Sequence, residues 1–308
     1  MSFKLNKNDF KLLASIVESR IMTLSQVAAI QRKSKQVVRR RLRDMEDAGL
    51  IISNTRGLGK SRGRPEKEFS LTETGCDLLR SRLPTLKGIP NDRLTVQKLH
   101  CPDHQLLINW FRFHMVCIEH VVPQLSVRFL SVISPHMVGG DGIHLVVQEK
   151  DTGEDHLHDI KGFKPDGVFS ITHQDKQKTL LFFLEADMGT ESIASVGRVP
   201  RDIRQKIINY QQYFQNGKHK FYEKLLDCRL KGFRLLFLTI TGTRLGSLCN
   251  LVQRMPPSNF IWLTTVEQML SHGLSAKIWA RGGRQEAPAE SILGSGMACR
   301  APLLPLKE

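Results

Sequence analysis

Residues 34–75 read SKQVVRRRLRDMEDAGLIISNTRGLGKSRGRPEKEFSLTETG. Over 34–48 the apolar residues Val37, Val38, Leu42 and Met45 recur at helical spacing, which predicts an amphipathic helix with those four turned to a core. Lys35, Gln36, Arg39, Arg40 and Arg43 are left on its outer side. Ser34 is a good N-cap, and Gly49 suits the stop just beyond the helix. Leu50, Ile51 and Ile52 then predict a strand, and residues 66–71 its partner. The intervening NTRGLGKSRGRP is rich in Gly and Arg and nearly free of apolar side chains. Thr72 can cap a closing helix that carries Leu78, Leu79 and Leu83.

Upstream, Phe10, Leu13 and Val17 lie at helical spacing over 7–17. Thr23 can cap a second short helix with Leu24, Val27 and Ala28 inward, and a turn through Arg32 and Lys33 leads to Ser34. Three helices, a strand, a basic loop and a second strand match a winged helix-turn-helix, whose last helix enters the major groove. The reading is an α+β winged-helix domain over 1–83. Its expected DNA contacts are Lys35, Gln36, Arg39, Arg40 and Arg43 on the helix and Arg56, Lys60, Arg62 and Arg64 in the wing. Arg62 to Pro65, RGRP, resembles the core of an AT-hook, which lies in the minor groove where narrowing deepens the negative potential. Two blander readings stand beside this one: a solvated arginine face neutralised by Asp44, Glu46 and Asp47, and a winged helix used only for protein docking.

The charge follows the same division. The net charge is +15 over 308 residues. Residues 1–100 hold 21 Lys and Arg against 10 Asp and Glu, and the remainder 24 against 20. A polyanion is therefore drawn to the first third, and double-stranded DNA is the implied partner. No apolar run approaches a membrane span, and MSFKLNKNDF has no apolar signal core. The expectation is a cytoplasmic protein that does not bind a membrane. The scattered Cys76, Cys101, Cys117, Cys228, Cys249 and Cys299 read as reduced thiols in that compartment.

Residues 84–103 contain Pro84, Gly88, Pro90 and Pro102 and read as a linker. A buried helix follows over 103–121, then strands over 126–133, 145–148 and 167–171. TLLFFLEA, residues 179–186, is a continuous apolar run suited to the centre of a sheet. A basic helix over 201–214, strands over 233–239 and 260–264, and Trp279 in a last strand complete an α/β domain over 104–285 with a central mixed sheet. The tail, 286–308, lacks periodicity and reads as loosely ordered. No glycine-rich turn opens a helix after a strand, which excludes Rossmann and P-loop domains.

FKPDGVF and LFFLEADMG place Asp166 at the head of one strand and Glu185 and Asp187 at the end of the next. Such carboxylates suit a hard divalent cation. The pattern resembles the PD-(D/E)xK nuclease superfamily, but Asp187 stands where the superfamily has its lysine. Lys206 on the following helix can substitute from another direction, and Glu119 can add a ligand. The expected catalytic set, if the domain is active, is Asp166, Glu185, Asp187 and Lys206, with Asp166 and Glu185 on Mg²⁺; otherwise no cofactor is expected. Zinc at His100, Cys101 and His104 lacks a regularly spaced fourth ligand, and the pair His156 and His158 reads as a solvated loop.

Pro165, Asp166, Gly167, Glu185, Asp187, Gly189, Thr190 and Glu191, with Lys206, Tyr210 and Tyr213 on the helix, also make the chain resemble the plasmid replication-relaxation family over roughly residues 10–270. The resemblance implies a DNA-binding protein of a plasmid or other mobile element, acting in replication, transfer or their control. With the lysine displaced, the nuclease-like domain is expected to serve assembly or partner docking. The alternatives are a Mg²⁺-dependent endonuclease targeted by the winged helix, and an adaptor that recruits replication or transposition enzymes. Candidate protein partners are replication, transfer or transposition proteins and a second copy of the chain.

Overall fold

The computed structural model describes residues 4–55, 66–87, 89–97, 99, 101–130, 165–194 and 202–303. They divide into two compact units, Met1–Trp110 and Phe111–Glu308.

In the first unit α1 (Lys7–Ser19) leads through β1 (Met22–Thr23) into α2 (Leu24–Gln31) and α3 (Lys35–Asp47). β2 (Ile51–Thr55), β3 (Lys67–Leu71) and α4 (Glu73–Arg82) follow. Each helix starts where a side chain can satisfy its free N–H groups. Asn6 and Asp9 form a capping box on α1, Thr23 and Gln26 one on α2, and Ser34 and Thr72 cap α3 and α4. The strands form an antiparallel sheet in the order β1–β3–β2, with Ile51 opposite Leu71 and Thr55 opposite Lys67. Leu13, Ile16, Val27, Leu42, Met45 and Cys76 fill the space between helices and sheet. Gly75 is required at the start of α4, because a Cβ there would stand 2.1 Å from the Leu50 carbonyl oxygen.

The stretch read as a linker is folded instead. A 3₁₀ turn (Pro84–Leu86) and α5 (Asn91–Leu94) bury Leu86 and Leu94. One distant and one nearby arginine hold this stretch: Arg20 Nη2 donates to Thr95 O at 3.0 Å, and Arg80 Nη2 donates to Ile89 O at 2.5 Å. The prolines shape the path without freeing it. α6 (Pro102–Val121) begins in this unit, where Asn109 Nδ2 donates to Ile21 O at 2.7 Å.

The second unit is a six-stranded mixed sheet in the order β4–β5–β6–β7–β8–β9. β4 (Leu125–Leu130), β5 (Gly167–His173) and β6 (Lys178–Asp187) are antiparallel. β7 (Phe233–Thr239) and β8 (Ile261–Thr265) continue parallel to β6, and β9 (Ala280–Arg281) closes antiparallel. Between β6 and β7 run α7 (Ile203–Gln215) and α8 (Phe221–Leu226), and after β7 comes α9 (Gly242–Gln253). A short α10 (Val266–His272) follows β8.

From Leu181 onward β6 is buried on both faces. Leu181 and Phe183 join Ile207, Tyr210, Tyr213, Phe233 and Leu248 in one core. On the other face the Phe182 ring stacks on Phe169 at 4.8 Å, and Phe111 of α6 packs against Phe169 at 5.5 Å. Gly167 admits the Phe129 ring, which a Cβ would meet at 2.6 Å.

The strand expected over 126–133 is present as Leu125–Leu130, and its last three residues, like the strand expected over 145–148, lie outside the described residues. The stretch 286–303 is packed rather than loose. Ile292 is fully buried, Ser291 Oγ donates to Ser275 O at 2.7 Å, and Ala301 N–H donates to His272 O at 2.8 Å. It borrows its order from the backbone of residues 272–279 and from Arg234, which donates to Ile292 O, so it needs no periodicity of its own.

Candidate functional site

The basic surface of the first unit is α3. Val38, Leu42 and Met45 make its inward stripe. Lys35, Gln36, Arg39, Arg40 and Arg43 are all exposed, and among the described residues the four cations make no ion pair. Two of the three acids that stood to neutralise them are engaged elsewhere, while Asp47 is exposed and pairs with none of the four cations among the described residues. Asp44 Oδ2 lies 3.4 Å from Arg41 Nη1, and Glu46 bonds Ser53 and stands 3.9 Å from Lys67 Nζ.

Arg41 is turned the other way. Its Nε donates to Asp9 Oδ1 at 2.6 Å and its Nη2 to Lys4 O at 3.2 Å. Burial alone would raise the Asp9 carboxyl, but the hydrogen bonds from Arg41 and the Asn6 N–H outweigh it and hold its pKa below the ordinary value. The arginine run thus divides into one residue that ties α3 to α1 and three that face solvent.

Val37 was expected in the core and is instead 45% exposed. Val38 takes the inward position in line with Leu42 and Met45, and the resulting phase of α3 turns Val37, about 100° away, to solvent. The result is one apolar side chain on the basic face, a turn before Arg40. The wing residues Arg56, Lys60, Arg62 and Arg64 lie outside the described residues. The loop's exit is anchored: Glu66 Oε1 accepts from both the N–H and the Oγ of Ser25 at 2.6 Å.

In the second unit Asp166 and Glu185 come together across the β5–β6 pair. Asp166 N–H donates to Leu184 O at 3.0 Å, and Asp166 Oδ2 accepts the Ala186 N–H at 2.8 Å. Glu185 is buried and receives two donors: Tyr210 Oη to Oε1 at 2.6 Å and Lys206 Nζ to Oε2 at 3.1 Å. Lys206 also pairs with Glu191 Oε2 at 3.0 Å. Lys206 and Tyr210 lie one helical turn apart on α7, so one helix face delivers both. Burial raises the Glu185 carboxyl to about 7, with neighbouring Asp166 adding to the rise and Lys206 and Tyr210 opposing it. For Lys206, burial pulls the pKa down, and the charges of Glu185 and Glu191 more than reverse this.

Asp187 is buried on the same face but serves a different cation. Arg244 of α9 grips it with Nε at 2.6 Å to Oδ2 and Nη2 at 3.0 Å to Oδ1. Arg244 Nη2 also donates to Glu191 O at 2.6 Å, and the Gly189 N–H donates to Asp187 Oδ1 at 3.1 Å. Gly189 holds a φ of +74°, the left-handed region that glycine tolerates. The turn after β6 is therefore clamped from both sides, by Lys206 on Glu185 and Glu191 and by Arg244 on Asp187. Sequence reading missed Arg244. Its only local signal is the Thr241 cap, which starts α9 directly after β7, parallel to β6.

The expected metal trio does not assemble. Asp187 is held by Arg244, Glu119 Oε1 accepts the Val127 N–H, and both Glu185 oxygens carry donors. A hard divalent cation needs several free carboxylate oxygens, which this donor set does not offer. Among the described residues no group of three or more His, Cys, Asp or Glu is arranged to hold a metal. His100, His156 and His158 lie outside the described residues. Tyr213 is structural, donating from its hydroxyl to Lys218 O at 3.2 Å.

The family model described as replication-relaxation matches residues 13–227, which include α3, the turn after β6 and Lys206, but not Arg244. The chain belongs to the replication-relaxation family. Membership points to a role in plasmid replication or mobility. No curated protein and no solved structure matches the chain. Among the described residues no helix is long and apolar enough to cross a membrane. All six cysteines are free thiols.

The raised Glu185 pKa has a signed consequence. The folded state binds the proton more tightly than the unfolded chain, so this group's stabilising contribution is full below about 4.5 and is lost as pH rises through about 7. Glu185→Gln keeps the neutral form at every pH. The melting temperature of the wild type relative to this variant should therefore fall between pH 5 and pH 8. A constant difference across that range, measured by scanning calorimetry, would contradict the assignment.

Proposed function

We propose that this member of the replication-relaxation family is a double-stranded-DNA-binding protein that acts in plasmid replication, transfer or their control. The observation that carries the reading is the outward face of α3, where Lys35, Arg39, Arg40 and Arg43 stand exposed without an acidic partner among the described residues. Unpaired cations on one helix face are what a phosphate backbone requires. The order α1–β1–α2–α3–β2–β3 and the β1–β3–β2 sheet support a winged helix with α3 as its recognition helix. On this reading Arg56, Lys60, Arg62 and Arg64 belong to the wing.

The second unit supports a nuclease-like architecture: α6, three antiparallel strands, α7 and then a parallel strand, with Asp166 and Glu185 on adjacent strands. We read it as inactive and used for assembly or docking, because the Glu185 oxygens are already engaged. The endonuclease alternative draws on Lys206 reaching Glu185. It predicts Mg²⁺-dependent nicking of supercoiled plasmid that Asp166→Ala abolishes while the protein stays folded. The expected outcome is no such nicking, with Asp166→Ala instead lowering the melting temperature through loss of the bond to the Ala186 N–H.

Replacing Arg39, Arg40 and Arg43 together by Ala should leave the melting temperature unchanged, since none has an ion-pair partner among the described residues. It should reduce the slope of log affinity against log salt by about 2–3, near 0.9 per phosphate contact. Fluorescence anisotropy on a duplex over a salt series measures this, and an unchanged slope in the folded variant would remove the DNA-binding role of α3.

Val37 extends the reading to sequence preference. An exposed apolar side chain on a major-groove helix suits a thymine methyl. Replacing thymine by uracil throughout a selected site should weaken wild-type binding about fourfold, the worth of one buried methyl group. Val37→Ala should bind the two duplexes equally. A wild type indifferent to the methyl would place Val37 outside the groove.

A further inference from the structure

Between the start of α7 and the end of α9 lies a pocket of about 320 Å³. Its floor is aliphatic, formed by Ile193, Leu251 and Met255. Arg204 and Arg254 stand on its rim beside Ser247 and Asn250. Both arginines are exposed, and among the described residues neither side chain makes an ion pair. The walls are fixed. Ile203 and Arg204 N–H donate to Ser192 O and Ile193 O, each at 3.1 Å. Gln211 Nε2 donates to Met255 O at 2.7 Å, tying α7 to the segment after α9.

The pocket is separate from the clamped turn. Lys206 and Arg244, the cations of that turn, are committed to Glu185, Glu191 and Asp187. Arg204 and Arg254 are committed to nothing described. We propose that this pocket binds an acidic peptide of a partner protein, with an aliphatic side chain on the floor and flanking carboxylates on Arg204 and Arg254. Charge complementarity selects an anionic ligand, and the guanidinium fork matches a carboxylate with two parallel hydrogen bonds. The lining separates a peptide from a nucleic acid. A base taken out of a strand is held by stacking on aromatic rings, and among the described residues no ring lines this pocket. Isoleucine, leucine and methionine suit an aliphatic anchor, the usual centre of a small protein–protein contact.

The proposal rests on the docking role of the second unit and gives that role a location and a ligand class. It does not depend on α3 binding DNA.

The test is selection of a phage-displayed random peptide library on the full chain, with counter-selection against Arg204→Ala/Arg254→Ala. Both side chains are exposed and make no ion pair among the described residues, so the double variant should melt with the wild type. The expected pool carries Leu, Ile or Val next to Asp or Glu. A labelled peptide from it should lose about tenfold in affinity on the double variant and again on Leu251→Asp. Failure to enrich such peptides, a consensus without acids, or equal binding to wild type and double variant would overturn the proposal. So would displacement of the peptide by an oligothymidylate that binds more tightly and depends on the same two arginines. A consensus that binds elsewhere on the second unit would keep the docking role and discard this pocket. Duplex binding through α3 is read separately in the same preparation.

Discussion

A strand covered on both faces can carry charge only where donors reach it, and β6 imposes that rule on the second unit. From Leu181 to Leu184 each residue is buried against aromatic or aliphatic partners on its own side of the sheet. At Glu185 the strand reaches its end with the surroundings still closed. A carboxylate there must find donors or give up its charge, and Glu185 partly does both. Asp187, two residues on, meets the same demand with a bidentate arginine. The residues that carry the family resemblance at this strand end thus have a direct structural use. They fold the turn after β6 against α7 and α9, and they draw Lys206 and Arg244 inward to do it.

The first unit solves a related problem on a surface. α3 carries four arginines within five residues, too many for its own acids to neutralise. The helix sends Arg41 to the buried Asp9 of α1 and lets Asp44 assist. Arg39, Arg40 and Arg43 keep their charge in water. Exposed pairs contribute little to stability, so pairing those three would have gained the fold almost nothing. Leaving them free preserves a positive face at small cost to folding, and that is the condition the proposed DNA contact requires.

The parts readable from sequence are those set by short-range chemistry. Thr23, Ser34 and Thr72 cap helices because a hydroxyl needs only an N–H two or three residues on. The run at 179–186 reads as a central strand because its apolar length is itself the constraint. What depended on distant partners was not readable. Leu86 and Leu94 are buried by a stretch that Arg20 and Arg80 hold, while its prolines suggested a break. Order at 286–303 comes from the backbone of residues 272–279 and from Arg234. Arg244 is invisible from Asp187 because 57 residues separate them and only the parallel pairing of β6 with β7 brings α9 across. Val37 shows the limit within a single helix. Spacing identifies the apolar residues, but packing against neighbours sets the phase that decides which of two adjacent valines turns in.

The cations of the chain therefore fall into two populations. Arg20, Arg41, Lys206 and Arg244 reach buried or half-buried acceptors and are part of the fold. Arg39, Arg40 and Arg43 on α3, and Arg204 and Arg254 on α7 and after α9, have no such acceptor among the described residues. The two unengaged groups differ in setting. The first lines a convex helix with one exposed valine, a shape that can enter a groove and meet many phosphates. The second rims a concave aliphatic pocket, which a stiff duplex cannot enter and a side chain can. Charge alone would assign both to one polyanion. Curvature and lining favour different ligands for the two groups, in line with the proposed nucleic acid for one unit and the proposed peptide for the other, and a protein that brought a DNA site and a partner together would need both.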